Sequence, residues 1–567
     1  MSIQSAGNAM IMKTACIVVM TAMFLKGNAQ SKTQLEEYSK LADEYLSTWS
    51  SEHAPGFALA IVKDGVMIYS KCIGMADLEH DVRINATTVF NVGSISKQFT
   101  SAAILLLEQQ GKLLLDDKIK KYFPELPDYA NSITIQHLMN HTSGLREMLT
   151  LQSLSGIKPW SGGDKAKTLQ LIARQKSLNF QPGEEFMYSN TGYWLLAQIV
   201  EQVSGRSFAL FCKEEIFIPL GMVNTHFHDD SKALIKSRAF AYEMNEVGEY
   251  INSFIVEHED VGAGGLHTTI EDFHKWDNNF YANQLGDKSN SLIAKLEQKG
   301  RLNNGKESRY ANGLFISSYK GLTNINHNGQ SGNYTSSYFR FPEKRFSIFL
   351  FANNAKVQVH LYSLYELFIN GIPPTSVSDR SKDFQLTEIT NSSALKEFTG
   401  FYYQSPGSVI EILVQNGQLF YNSIGDEKMK LLPVGEMRFI KEDMSTELVF
   451  EVDSVSNKVK GLTRSYIQMG MKMPTAEKLV RPENLKDYQG RYCSDELTVC
   501  YNVVADGGVL SFLGDDEEIL KLAMVEQDIF HGGNAVVRFI PEGSRKFVGF
   551  SISTPRVRDL RFELDNQ

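Results

Sequence analysis

Ser94-Ile95-Ser96-Lys97 opens a segment that runs through Ala102-Ala103-Ile104-Leu105-Leu106-Leu107 and stops at Gly111. The apolar run with a glycine behind it predicts a buried helix over Gln98 to Gln110. One helical turn separates positions i and i+3, so Lys97 can reach the Ser94 hydroxyl. Ser94 would sit at the helix mouth, where free N–H groups and the helix dipole favour negative charge. A serine nucleophile and its oxyanion need that environment. To act as a base, Lys97 must titrate far below its ordinary pKa of about 10.4, and burial behind an apolar helix face moves it that way. Three other Ser-x-x-Lys matches exist, Ser155/Lys158, Ser317/Lys320 and Ser393/Lys396, but none opens a long apolar helix.

Two further motifs follow in chain order. Tyr188-Ser189-Asn190 lies on a predicted loop after Gln181-Pro182-Gly183-Glu184 and before a helix at Trp194 to Val203 that Gly205 closes. A Tyr and an Asn two apart on extended chain project the same way and can face the Ser-Lys pair across a cleft. His327-Asn328-Gly329-Gln330 precedes a strand-rich stretch from Tyr334 to Phe351, and an edge strand there offers a backbone N–H. Each motif alone is weak: Tyr-x-Asn recurs at Tyr129, Tyr281 and Tyr310, and His-x-Gly recurs at His531.

Outward from these, Phe57 to Val62, Asp64-Gly65 and Val66 to Tyr69 read as a hairpin with a two-residue turn, and Phe346 to Phe351 as a buried strand. Strands at both ends with helices between predict one α+β domain over 30–372. Pro373-Pro374 and the serines after it begin a linker, 373–394. Beyond it the pattern turns to strands, and it repeats. Leu395-Lys396-Glu397-Phe398-Thr399-Gly400-Phe401-Tyr402 recurs 90 residues later as Leu485-Lys486-Asp487-Tyr488-Gln489-Gly490-Arg491-Tyr492. Asn416-Gly417 becomes Asp506-Gly507 at the same offset, and both dipeptides suit two-residue primed turns. Two small antiparallel barrels are expected, over 395–482 and 483–567.

The chain has 567 residues, 43% of them apolar, enough for several globular cores. Lys and Arg number 57 against 66 Asp and Glu, with no dense basic run, which excludes nucleic-acid binding as a leading reading. Residues 1–29 carry Lys13, the apolar run Ala15 to Leu25 and the small residues Gly27-Asn28-Ala29, the pattern of a secretory signal. Export is therefore expected, to the periplasm or outside the cell, with no membrane span after cleavage. Cys493 and Cys500 flank a six-residue stretch, and an oxidising compartment permits a bond between them.

The order Ser-x-x-Lys, then Tyr-x-Asn 94 residues on, then His-x-Gly 139 further, resembles the serine β-lactamase/penicillin-binding-protein superfamily over about residues 50–370. The resemblance is to the branch holding class C β-lactamases, D-Ala-D-Ala carboxypeptidases, D-aminopeptidases and esterases. His53-Ala54-Pro55-Gly56, Gly111 to Asp117, Ile135 to Leu145 and Gly262-Ala263-Gly264-Gly265-Leu266 fit the same branch. The resemblance implies a β-lactamase/transpeptidase-like domain, an antiparallel sheet flanked by helices. It implies Ser94 as the acylated nucleophile, Lys97 and Tyr188 sharing the proton transfers, and Asn190 orienting the substrate. His327 takes the third-motif position beside Gly329 and Gln330, with the N–H groups of Ser94 and Gln330 as oxyanion donors. Class C lactamases carry Lys-Thr-Gly at that motif. A histidine, only partly charged near pH 7, leans the reading toward small D-amino-acid peptides, with β-lactam or ester hydrolysis as the alternative.

No cofactor is implied, and the expected partner is a small-molecule or peptide substrate; the oligomeric state is open. A barrel loop reaching the cleft would restrict substrate size; otherwise the barrels serve stability or attachment. Two rival classes fit the residues less well. His226-Phe227-His228-Asp229-Asp230 departs from the zinc signature of metallo-lactamases, so no catalytic metal is expected. A non-turnover penicillin sensor has no need of the full Ser94, Lys97, Tyr188 set.

Overall fold

A computed structural model describes residues 33–49, 53–157, 164–253 except 246, 261–374 except 358, Thr387, and 394–565 except 405–407, 424–427, 443–445, 454, 455, 457, 467–470, 473–475, 479–484, 507, 515–517, 544 and 545. The signal segment and most of the linker expected from the sequence lie outside the described residues.

The region before the linker is built on one six-stranded antiparallel sheet. Its strands are β1 (Phe57–Lys63), β2 (Val66–Ile73), β3 (Phe315–Tyr319), β4 (Leu322–Ser331), β5 (Tyr334–Phe341) and β6 (Phe346–Ala352), in the order β3-β4-β5-β6-β1-β2. The β1–β2 hairpin turns at Asp64 and Gly65, with φ of 53° and 81°, as a primed turn requires. In β1 the side chains alternate between two cores. Phe57, Leu59 and Ile61 pack with Ala42, Tyr45 and Leu46 of the N-terminal helix, residues 33–46. Ala58, Ala60 and Val62 face the helices on the other side. A strand covered on both faces is apolar throughout, which is why its period of two is hidden in the sequence.

Helix α1 (Ser96–Gln109) runs through the middle of that second layer, buried from Ser96 to Leu107. Most of its buried polar side-chain atoms have a partner, Gln98 Nε2 being an exception. Thr100 Oγ1 donates to Gly262 O, Ser96 Oγ donates to Gly93 O, and Gln98 Oε1 accepts from Trp276 Nε1. Helix α2 (Asn190–Ser204) packs beside it and ends at Gly205, with φ 69°. Among the described residues, no helix is long and apolar enough to cross a membrane.

Two antiparallel β domains follow. In the first, nine strands between Gly400 and Lys478 form a sheet whose first strand in order, Thr446–Val452, also pairs with Val459–Tyr466. The second is a closed barrel of eight strands from Gly490 to Leu564. Its interior is filled by Tyr492, Phe512, Phe539, Phe550 and Phe562, which form a packed core. The Asn416-Gly417 turn is as expected, with φ of 51° and 73°. In the second copy Asp506 pairs with Val509 and ends its strand; Gly507 lies outside the described residues.

The second barrel docks on the region before the linker. Leu151, Leu154 and Leu171 join the barrel core cluster. Arg146, 2% exposed, forms an ion pair with Glu496 at 2.7 Å and donates to the Arg558 carbonyl. Cys493 and Cys500, opposite each other on paired strands, are joined by a disulfide at the base of the turn that carries Glu496.

Candidate functional site

Gly93–Ile95 forms a 3-10 turn that feeds directly into α1, so Ser94 sits one step outside the helix proper, half-buried at its mouth. Two glycines let the chain close here. Gly93 has φ 51°, and a Cβ on it would lie 2.7 Å from the Gln330 backbone; a Cβ on Gly329 would lie 2.0 Å from Val92 O. Strand β4 therefore presses backbone to backbone on the Ser94 turn, which no larger side chain permits.

Lys97 is fully buried, and its Nζ lies 3.0 Å from Ser94 Oγ, 2.8 Å from Asn190 Oδ1 and 2.6 Å from Ala263 O. The Gly262 to Leu266 segment thus supplies carbonyls to α1. Burial, the dominant influence, drives the Lys97 pKa well below its ordinary value; the Glu147 carboxylate opposes this and the Arg556 guanidinium adds to it. The Tyr188 ring lies 4.9 Å from Lys97 Nζ. Burial holds the Tyr188 phenol well above the usual tyrosine range, with the Ser94 hydroxyl pulling the other way. The Tyr188 hydroxyl lies beside Ser94 without closing a well-formed hydrogen bond to it. Asn190 begins α2 rather than preceding it in a loop, and its Nδ2 donates to Glu147 Oε1 at 3.0 Å.

His327 lies within β4, and β4 is not the outer strand of the sheet. The outer strand β3 pairs only as far as Phe315 with Asn326, so residues 327–331 form a local open edge along the cleft. His327 Nδ1 lies 2.7 Å from Asn328 O and its Nε2 3.2 Å from the Tyr310 hydroxyl. That pattern assigns the proton to Nδ1, with Tyr310 donating to Nε2. Burial first, then the Lys97 charge, pushes the His327 pKa down to about 3, so the ring is neutral rather than partly charged near pH 7. All seven candidate residues converge. Lys97 forms the buried floor, and Ser94, Tyr188, Asn190, His327, Gly329 and Gln330 line a cleft of about 770 Å³.

Three contributors lie outside the seven candidates read from the sequence, although His141 falls within the Ile135 to Leu145 stretch that carries the resemblance. His141 stacks on Tyr188, with ring centroids 4.3 Å apart, and its Nδ1 accepts the Ser189 N–H. Glu147 caps the helix Met148–Leu154 and receives Asn190; only its place before an apolar run hints at the cap. Arg556 arrives from the second barrel and lines the cleft, its guanidinium 5.1 Å from the Tyr188 ring centroid. The histidines His226, His228 and His267 have ring centroids 5.4–5.8 Å apart. Among the described residues, no group of His, Cys, Asp or Glu is arranged to hold a metal ion.

The Beta-lactamase family model matches residues 35–363. The chain is 27% identical over 419 residues to Penicillin-binding protein 4* of Bacillus subtilis, covering 71% of this chain and 91% of that protein. It is 29% identical over 310 residues to Protein flp of Staphylococcus aureus, spanning 53% of this chain and 60% of that one. Among solved structures, the octameric penicillin-binding protein homologue from Pyrococcus abyssi has a TM-score of 0.54 at 21% identity, covering 85% of this chain and 98% of that one.

Proposed function

The chain belongs to the beta-lactamase family of serine hydrolases, and from that premise we propose an exported enzyme that cleaves amide or ester bonds of small D-amino-acid peptides or related substrates through an acyl-enzyme on Ser94. The observation that carries this reading is the set of three contacts at Lys97 Nζ. A neutral amine has two N–H bonds and one lone pair. Asn190 Oδ1 and Ala263 O take the two N–H bonds, which leaves the lone pair facing the Ser94 O–H. Ser94 Oγ attacks the substrate carbonyl as its proton passes to Lys97. The N–H groups of Ser94 and Gln330 face the tetrahedral oxyanion, each worth roughly 3–4 kcal/mol in the transition state. Tyr188, whose phenol is protonated at rest, gives that proton to the leaving group and is reprotonated with the one Lys97 took from Ser94; water then hydrolyses the acyl-enzyme, releasing the acid and restoring the Ser94 hydroxyl.

The test is a panel of nitrocefin, a D-Ala-D-Ala peptide, D-alanine p-nitroanilide and p-nitrophenyl acetate, read as kcat/KM. Ser94→Ala is expected to lower turnover of every cleaved member by roughly 10⁴-fold or more, with a melting temperature within about 2 °C of the parent because Ser94 is not a core side chain. Retained turnover overturns the assignment. Stoichiometric labelling by a fluorescent penicillin without turnover of any member overturns the enzyme reading in favour of a sensor.

A further inference from the structure

Arginines from two regions meet where the second barrel docks, and Arg174 among them donates to Thr498 Oγ1 at 3.4 Å. Arg146 is paired with Glu496, and Arg558 with Glu185 at 2.8 Å. Arg556, at the turn between β7 (Lys546–Thr554) and β8 (Val557–Leu564), has no carboxylate partner among the described residues, and its guanidinium enters the cleft. The turn is fixed by its backbone: Arg556 O accepts the Glu147 N–H at 3.2 Å and Asn179 Nδ2 at 2.9 Å. The side chain is thus aimed by contacts that do not use it. With His327 neutral, Arg556 is, among the described residues, the one charged residue on the cleft lining, and no described carboxylate is on that lining.

We propose that Arg556 is the anion subsite of this cleft and binds the C-terminal carboxylate of a peptide substrate. This rests on the hydrolase reading above and narrows it. A guanidinium presents a planar fork that matches a carboxylate in two parallel hydrogen bonds. Among the described lining residues a substrate ammonium meets a like charge and no carboxylate, which favours carboxypeptidase-type over aminopeptidase-type substrates. The cation absent from the third motif is delivered by another domain.

The experiment compares N-acetyl-D-Ala-D-Ala with its C-terminal amide, which differ only in the terminal charge, on the full chain, Arg556→Gln and Arg556→Lys. The parent is expected to prefer the acid. Arg556→Gln is expected to cut the acid-to-amide ratio of kcat/KM by roughly 10- to 100-fold, and Arg556→Lys to restore part of it. Because the docking bonds come from the backbone, both variants should melt with the parent. Absence of a preference in the parent, or an unchanged ratio in Arg556→Gln, overturns the proposal. Fluorophosphonate labelling of Ser94 in the parent separates the two readings: labelled protein that turns over neither peptide removes the subsite and keeps the hydrolase, whereas unlabelled protein removes the hydrolase reading itself.

Discussion

The two C-terminal β domains share a local plan and differ in what they touch. Each opens with a 3-10 turn and a glycine at positive φ, Gly400 at 138° and Gly490 at 156°. In each, a buried tyrosine hydroxyl donates to the carbonyl four residues back, Tyr402 to Phe398 and Tyr492 to Tyr488. The first meets the second through Tyr403 against His531, ring centroids 4.7 Å apart. The second meets the hydrolase region through Glu496, Arg558 and the Arg556 turn. The repeated residues therefore specify the barrel, and a few unrepeated ones decide what the barrel is for.

The largest expected difference lies in the ion pairs. Glu496→Ala strands a buried Arg146 charge and should cost about 3–5 kcal/mol, because the desolvated guanidinium loses its counter-charge. Glu447→Ala in the first barrel breaks a pair with Arg438, which is 53% exposed, and should cost no more than about 1 kcal/mol. Chemical denaturation of both variants measures this, and equal losses would erase the distinction between docked and undocked surfaces.

Next, Cys493→Ser opens the loop that presents Glu496 and should destabilise the protein by roughly 2 kcal/mol. Intact mass with and without reductant should differ by about 2 Da, the two hydrogens taken up when one disulfide is reduced. An unchanged mass breaks the claim that the docking turn is braced.

A smaller, matched effect is expected where the barrels are alike. Tyr402→Phe and Tyr492→Phe each remove one buried hydrogen bond and should each cost about 1 kcal/mol in urea unfolding. A loss confined to one of them would show that the shared motif has diverged in energy.

The smallest effect sharpens the contrast at the site. Lys97 must be neutral to act, so kcat/KM should rise with pH through its depressed pKa. The Arg556 charge helps hold that pKa down. Arg556→Gln should therefore raise it and move the acid limb of the pH–rate profile to higher pH. Substitutions in the first barrel should leave the limb in place. His327, with a pKa near 3, should contribute no titration between pH 5 and 8.

Much of the hydrolase site was legible because it is built from short-range geometry. The i,i+3 spacing of Ser94 and Lys97, the alternation through Tyr188 and Asn190, and the glycines after α1 and α2 are local rules that hold wherever the chain goes. The charge state of His327 was not legible, because it depends on burial under Tyr310 and nearness to Lys97. The outer strand was misplaced because β3 is short and polar at Ser317 and Ser318. Its existence follows from pairing with β4 rather than from any pattern of its own.

The amino-acid order alone determined the nucleophile turn, the hairpins, the duplicated barrel and the family. Each is written in contacts between residues a few positions apart, or in the order of motifs. The tertiary structure decided that Glu147 holds Asn190, that Glu496 reaches Arg146 across 350 residues of chain, and that Arg556 enters the cleft. Those placements follow from how segments distant in the chain pack together, and a lone arginine in a turn carries no periodicity to announce where docking will take it.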